Sequence, residues 1–123
     1  MEDPARQTPV LDLDHLDRQT FGDADLRREL LDLYLEQCAR LRPLVTEGPR
    51  AAALEAAHTL RGASSAIGAF RVAAALCALE AAAPGADGAP PAALAQVLRE
   101  AAADVDWTIR QVLEGSAAPP RQA

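Results

Sequence analysis

Apolar residues recur along this chain at intervals of three and four, the spacing of one face of an α-helix. One such stripe predicts a long helix over about 23–46, and its members are Leu26, Leu30, Tyr34, Cys38, Leu41 and Val45. Another predicts a final helix over about 91–114, with Leu94, Leu98, Ala101, Val105, Ile109 and Val112. No segment alternates apolar and polar residues as a half-buried strand does, so we expect helices alone.

A short helix is predicted ahead of the long one. Ordered structure should begin near Val10, Asp12 or Asp14 should be the N-cap of this helix, and Gly22 should close it. Pro43 lies inside the pattern of the long helix, and a proline there removes a backbone hydrogen bond. We therefore expect a bend or a local break near the end of that helix.

Glycine and proline also delimit two helices in the middle of the chain. Gly48 suits a helix C-terminus and Pro49 suits a first turn, which predicts a helix over about 49–67. Gly68 ends this helix, and the apolar pattern resumes at once over about 70–82. Because the connection is so short, the two helices should be antiparallel neighbours.

These elements predict an all-α fold, an antiparallel four-helix bundle with a short additional N-terminal helix. Residues 10–114 should form the folded domain. Residues 1–9 have no periodicity and should be a flexible lead-in, and residues 115–123 should be a disordered tail.

Composition narrows the classes of function. The 123-residue chain has a formal net charge of −6, which argues against a nucleic-acid surface, since neutralising phosphates requires a basic patch. It shows no signal peptide and no apolar run long enough to cross a bilayer, so we expect a cytoplasmic protein without a membrane partner. Cys38 and Cys77 lie in apolar contexts without the spacing of a zinc or redox pair, which favours buried free thiols.

One face of the predicted helix 49–67 carries unusual chemistry around His58. A helical projection places these residues together there: Leu54, His58, Arg61, Gly62, Ser65 and Ala69. A neutral imidazole is a nitrogen nucleophile that is able to accept a phosphoryl group, and Arg61, one turn on, supplies positive charge for its oxygens. Gly62 and Ala69 should keep the surface flat, so that a partner's active site approaches closely.

The same residues carry a resemblance to a known family. The segment 57–69, Ala-His-Thr-Leu-Arg-Gly-Ala-Ser-Ser-Ala-Ile-Gly-Ala, is followed at the usual spacing by Leu76, Cys77, Leu79 and Glu80. It resembles the histidine-containing phosphotransfer (HPt) domain, whose pattern reads roughly A-H-x-L-K-G-x-S-x-x-x-G-A. The resemblance extends over about residues 10–114.

The resemblance implies that His58 is the phosphoacceptor and that Gly62 admits a receiver domain, with Leu54, Ser65 and Ala69 completing the docking surface. Arg61 replaces the family's usual lysine, so charge is kept and shape is changed. The expected partners are receiver domains of response regulators, including that of a hybrid histidine kinase. No cofactor is expected, because the Mg²⁺ would belong to the receiver. Such a protein is a relay intermediate without independent turnover, and hence not an enzyme.

Other interpretations were weighed against this one. A non-phosphorylated helical adaptor would use the same face only to bind a signalling partner. A dimeric phosphotransferase needs an exposed apolar seam. The apolar stripes here are expected to be buried within one bundle, which favours a monomer. A metal site is disfavoured because His15 and His58 are the only histidines and no ligand spacing surrounds them. A Ser/His hydrolase is disfavoured because Ser65 lies seven residues from His58 on one helix.

Three further residues have ordinary structural expectations. His15 should be a solvated residue of the first helix. Ser64 should face inward, with its hydroxyl bonded to the backbone one turn back. Trp107 lies off the apolar stripe of the last helix and should cover a neighbouring helix.

Overall fold

The computed structural model describes residues 8–85 and 87–117, and five helices account for most of them. They are α1 (Leu13–Gln19), α2 (Ala24–Glu47), α3 (Arg50–Ile67), α4 (Phe70–Ala81) and α5 (Ala92–Ala117). Within these described ranges no residue is in a strand, so the all-α prediction is confirmed. None of these helices is both long enough and apolar enough to span a membrane.

The four longer helices pack in a closed ring. Each contacts the next along the chain, and α2 also contacts α5, which closes the bundle; α1 packs on α3. The connections between α2 and α3 and between α3 and α4 are two residues long, at 48–49 and 68–69. Helices joined this tightly must run antiparallel. The structure is thus the predicted four-helix bundle with a short N-terminal helix.

Local sequence signals explain most helix ends. Asp12 caps α1 by accepting a hydrogen bond from the backbone N–H of His15 at 3.0 Å. Asp23 caps α2 through the N–H groups of two residues in its first turn. Gly68 ends α3 in the left-handed conformation with φ of 90°. Pro43 does not break α2, which is helical on both sides of it.

The core is built from aliphatic side chains of all five helices. Those with no exposed surface include Leu16, Leu31, Leu60, Val72, Leu76, Leu98 and Ile109. Fully burying one such side chain contributes about 1.5–3 kcal/mol relative to leaving it exposed. Leu31 was absent from the predicted stripe of α2, whereas Tyr34 and Val45 were part of it and are buried.

The ends of the chain differ from expectation at one place. α5 continues to Ala117, so residues 115–117 are helical and are not part of the predicted tail. The remainder of that tail, 118–123, and residues 1–7 of the predicted lead-in lie outside the described residues.

Four expectations about individual side chains are wrong. Ser64 faces inward as predicted, but its hydroxyl pairs with the Tyr34 hydroxyl and not with the backbone one turn back. His15 is not solvated, because its ring packs edge-on against Phe70 and its Nε2 is buried. Trp107 is 65% exposed, so most of its side chain faces solvent and does not cover a neighbouring helix. Cys77 is exposed although it is a free thiol, and Cys38 is only half-buried.

Candidate functional site

The exposed histidine of α3 stands on a firmly packed helix. Ala57 and Leu60 flank it in sequence, are 2% and 0% exposed, and anchor this part of α3 in the core. Because the helix turns by about 100° per residue, the same packing directs His58 to solvent. Its side chain is 72% exposed. The imidazole is therefore accessible on a rigid support instead of a mobile loop.

Two charged side chains contact one nitrogen of this ring. Nη2 of Arg61 lies 3.0 Å from Nδ1 of His58, and Oε1 of Glu80 lies 3.4 Å from the same atom. Nε of Arg61 also donates to Oε2 of Glu80 at 2.6 Å. His58, Arg61 and Glu80 thus form a triangle of mutual contacts, which we call the Nδ1 triad. Both contacts to the ring fall on Nδ1.

Sequence reasoning missed Glu80 as a member of the site. Glu80 lies on α4, and it was noted only as part of a family pattern. A signal was nevertheless present: His58 lies ten residues before Gly68, and Glu80 lies eleven residues after Ala69. An antiparallel pair with so short a turn places positions at nearly the same distance from that turn close together.

The surface next to His58 is small and open. Gly62 is exposed, and a Cβ built on it meets no atom within 4 Å. Leu54 and Ser65, one turn before and two turns after His58, are half-buried at the edges of the same face. These three predicted docking residues therefore lie together around the imidazole.

Ala69 does not belong to this surface. The prediction that it flattens the face around His58 is wrong, because Ala69 has no exposed surface and serves as the N-cap of α4. The helical projection failed there for a physical reason. α3 ends at Ile67, and the left-handed Gly68 redirects the backbone, so the helical phase does not extend to the next residue.

The chemistry available at this site is that of an exposed nitrogen nucleophile beside an arginine. Arg61 is 37% exposed at its side chain, and Glu80, at 21%, holds it against the helix surface. In the described ranges no three histidine, cysteine or carboxylate side chains converge as a metal site would require. Acceptance of an anionic group by the imidazole fits an exposed nitrogen nucleophile beside a guanidinium.

The fold and the site define a helical-bundle protein that presents an exposed histidine on a rigid helix. The chain belongs to the Hpt domain family, because the model of that family, described as Hpt domain, matches residues 25–115. Comparisons with curated proteins and with solved structures found no match. Hpt domains are histidine phosphotransfer carriers of two-component systems, and they interact with receiver domains.

Proposed function

We propose that this protein is a phosphorelay intermediate, in which His58 accepts a phosphoryl group from a receiver-domain aspartate and passes it to another receiver. The observation that carries the proposal is the exposure of the His58 imidazole beside an open glycine surface. An aspartyl phosphate lies in a pocket of its receiver, so the acceptor must project from a surface that the rim of that pocket is able to approach. Any side chain larger than the hydrogen of Gly62 would obstruct this approach.

Arg61 supplies the charge that the transferred group needs. Phosphoryl transfer spreads negative charge over three equatorial oxygens, and a guanidinium stabilises that charge through two or more donors. The Mg²⁺ for the reaction belongs to the receiver in this proposal. The protein is then a carrier that completes one half-reaction with each partner and has no turnover alone.

The experiment is label transfer from radiolabelled, phosphorylated receiver domains of the source organism to the purified protein. We expect acid-labile, alkali-stable label on the wild-type chain, as befits a phosphohistidine. His58→Gln should abolish it, while His15→Gln, the matched control at the other histidine, should retain it. Addition of a second, unphosphorylated receiver should then remove the label from His58.

Two results would overturn the proposal. One is the absence of acid-labile label with every receiver tested, and the other is label that survives His58→Gln. If in addition a receiver binds wild type and His58→Ala equally well, the helical adaptor becomes the better description of the same face.

A further inference from the structure

A second open apolar surface of the bundle lies in the groove between α4 and α5, which we call the α4–α5 groove. It has a volume of about 640 Å³, and none of its lining residues belongs to the Nδ1 triad or to the predicted docking surface around His58. Small side chains, which leave the space between the two helices unfilled, form its floor: Ala74, Ala75, Ala78 and Ala101. The alanine content of the two helices therefore creates the groove.

The α4–α5 groove has the length of a short helix. Its lining extends from Phe70 to Ala78 on α4 and from Leu94 to Asp104 on α5, which is about 12 to 15 Å at the rise of an α-helix. Val97 lines the same groove and is 50% exposed, so a large aliphatic side chain is left uncovered there. An amphipathic helix of about three turns fits such a groove by placing its apolar face against the floor.

The two edges of the α4–α5 groove differ in charge. Glu100 and Asp104 line the α5 edge, and neither forms an ion pair with any residue that the structure describes. Glu100 accepts a hydrogen bond from the uncharged amide of Gln96 at 3.2 Å. On the α4 edge, Nε of Arg71 donates to the backbone oxygen of Thr8 at 2.6 Å. The α5 edge thus presents two carboxylates that are available to a cationic partner.

We infer that the α4–α5 groove binds an amphipathic helix of a second protein, with aliphatic side chains on the alanine floor and arginine or lysine side chains facing Glu100 and Asp104. Charge complementarity selects this occupant. A helix without basic residues would leave both carboxylates without partners, and an acidic helix would be repelled. Because α5 packs on α2 and α4, across the bundle from α3, a helix bound in the groove leaves the imidazole of His58 accessible.

The test uses synthetic alanine-based peptides of about 18 residues, a length at which such sequences are partly helical alone. The basic peptide carries leucines at i, i+4, i+7 and i+11 with arginines beside the stripe, and the acidic peptide has glutamates in place of the arginines. A third peptide has the composition of the basic one in scrambled order. Trp107, the single tryptophan, is exposed one turn from Asp104 and reports binding by its fluorescence. We expect saturable binding of the basic peptide, at least about tenfold tighter than that of the other two.

Reversal of charge identifies the contact. Glu100→Arg combined with Asp104→Arg should exchange the preference, so that the acidic peptide binds at least about tenfold more tightly than the basic one. Asp32→Arg combined with Glu36→Arg is the matched control, because it changes the net charge equally at two exposed residues of α2 with the same spacing. This control should keep the wild-type preference. The same shift of preference in both double variants would contradict the inference, since it would show attraction by net charge alone.

A longer side chain in the groove tests the apolar contact. Ala74 is exposed, so Ala74→Gln should fold normally, occupy part of the groove and weaken binding of the basic peptide by about tenfold. Ala39→Gln, at an exposed alanine of α2 that does not line the groove, should bind as wild type does. Circular dichroism checks that both variants are folded. Binding by Ala74→Gln as tight as that of wild type would exclude the groove as the site.

Other occupants of the α4–α5 groove give different results. If the protein sediments as a dimer that the basic peptide dissociates, the occupant is a second copy. If the basic peptide binds only after residues 1–7 are removed, the occupant is that segment. Either result overturns the inference, as does the absence of saturable binding up to about 1 mM peptide. None of these measurements involves phosphoryl transfer, so their outcome is independent of the proposed function.

Discussion

The hydroxyl oxygens of Tyr34 and Ser64 lie 2.7 Å apart in the interior of the bundle, where α2 packs on α3. Both side chains are almost entirely buried. A buried hydroxyl without a partner costs about 1–3 kcal/mol, whereas a satisfied pair costs little. This hydrogen bond links the long helix α2 to α3, the helix that carries His58. Ser64 lies six residues after His58.

Removing both hydroxyls should destabilise the protein by less than the sum of the two single removals. Tyr34→Phe and Ser64→Ala should each lower the free energy of unfolding by about 1–3 kcal/mol, because each strands the other hydroxyl. The double variant should lose less than the sum, by about 0.5–3 kcal/mol. Urea unfolding followed by circular dichroism measures all four proteins. Strict additivity would show that the hydrogen bond contributes nothing.

Stability should fall at alkaline pH. Burial raises the pKa of the Tyr34 phenol above its usual value of 10.0 and that of the Cys38 thiol above 9.0. Between its unfolded and folded pKa values each group binds more protons in the folded state, so the free energy of unfolding decreases as pH rises. The contribution of these two protonated groups to the free energy of unfolding is therefore fully present below about pH 9 and is lost as the pH rises above it.

Tyr34→Phe separates the two contributions. Urea midpoints measured from about pH 8 to about pH 11 should decline steeply in wild type and less steeply in this variant. Cys38→Ala is the companion variant and should remove the earlier part of the decline. Parallel curves for wild type and both variants would contradict the assignment of the alkaline loss to these groups.

A longer side chain at Gly62 should separate docking from folding. Glycine inside a helix is less favourable than most residues by up to about 1 kcal/mol, so Gly62→Gln should raise the melting temperature. The same side chain would occupy the open surface beside His58, so transfer from a receiver should fall by at least about tenfold if docking loses about 1.4 kcal/mol. Gly115→Gln, an exposed glycine of α5, should leave transfer unchanged.

Labelling of His58 by phosphoramidate, a small phosphoryl donor that needs no receiver domain, is the control for the Gly62→Gln prediction. A small donor is not obstructed by the side chain at position 62, so Gly62→Gln should be labelled at nearly the wild-type rate. Slow labelling by both donors would indicate a disturbed histidine and not a blocked docking surface.

Gly68 should tolerate no side chain, for reasons of conformation and of space. Its φ of 90° is strained for any other residue, and an added Cβ would lie 2.8 Å from the backbone oxygen of Asp12. Gly22 has a similar φ of 70° but open space around it. Gly22→Ala should therefore cost about 1–2 kcal/mol of unfolding free energy, and Gly68→Ala should cost more.

The additional loss of unfolding free energy in Gly68→Ala, relative to Gly22→Ala, measures the contact between the α3–α4 turn and the segment before α1. Thermal unfolding by calorimetry gives both values. Equal losses in Gly68→Ala and Gly22→Ala would show that the Asp12 backbone simply moves aside.

The two cysteines should differ in reactivity. Cys77 is exposed, whereas burial raises the pKa of Cys38 and lowers its thiolate fraction at neutral pH. A chromogenic disulfide reagent should therefore modify one thiol quickly in the folded protein and the second slowly. Cys77→Ala should remove the fast phase and Cys38→Ala the slow one. Urea should make both fast, and two fast thiols in the folded protein would contradict the assignment.

Hydrophobic periodicity and the glycine and proline signals at helix ends determined the architecture. The stripes of the second and last helices, together with Gly48, Pro49 and Gly68, predicted the number, order and approximate ends of the helices. This succeeded because burial of an apolar face dominates helix placement, and because glycine and proline act through local backbone geometry. The exposure of His58 followed from the same period, since residues of one helix face share one environment.

Contacts between helices were decided only by the tertiary structure. Glu80 reaches His58 from another helix, and its approach depends on the relative rotation and offset of α3 and α4, which no single-helix pattern contains. The pairing of Ser64 with Tyr34, rather than with its own backbone, has the same origin. Both contacts join residues far apart in sequence.

The helical projection placed Ala69 beside His58 only by extending past Gly68, the residue that the sequence itself predicts as the end of the helix. Ala69 fits the His58 face only if the helix continues, and the left-handed Gly68 ends it one residue earlier. His15 and Cys77 differ from expectation because exposure depends on which neighbour covers a position. The sequence alone therefore determined a bundle with an exposed histidine on its surface, and the packing of α4 on α3 decided which charges contact that histidine.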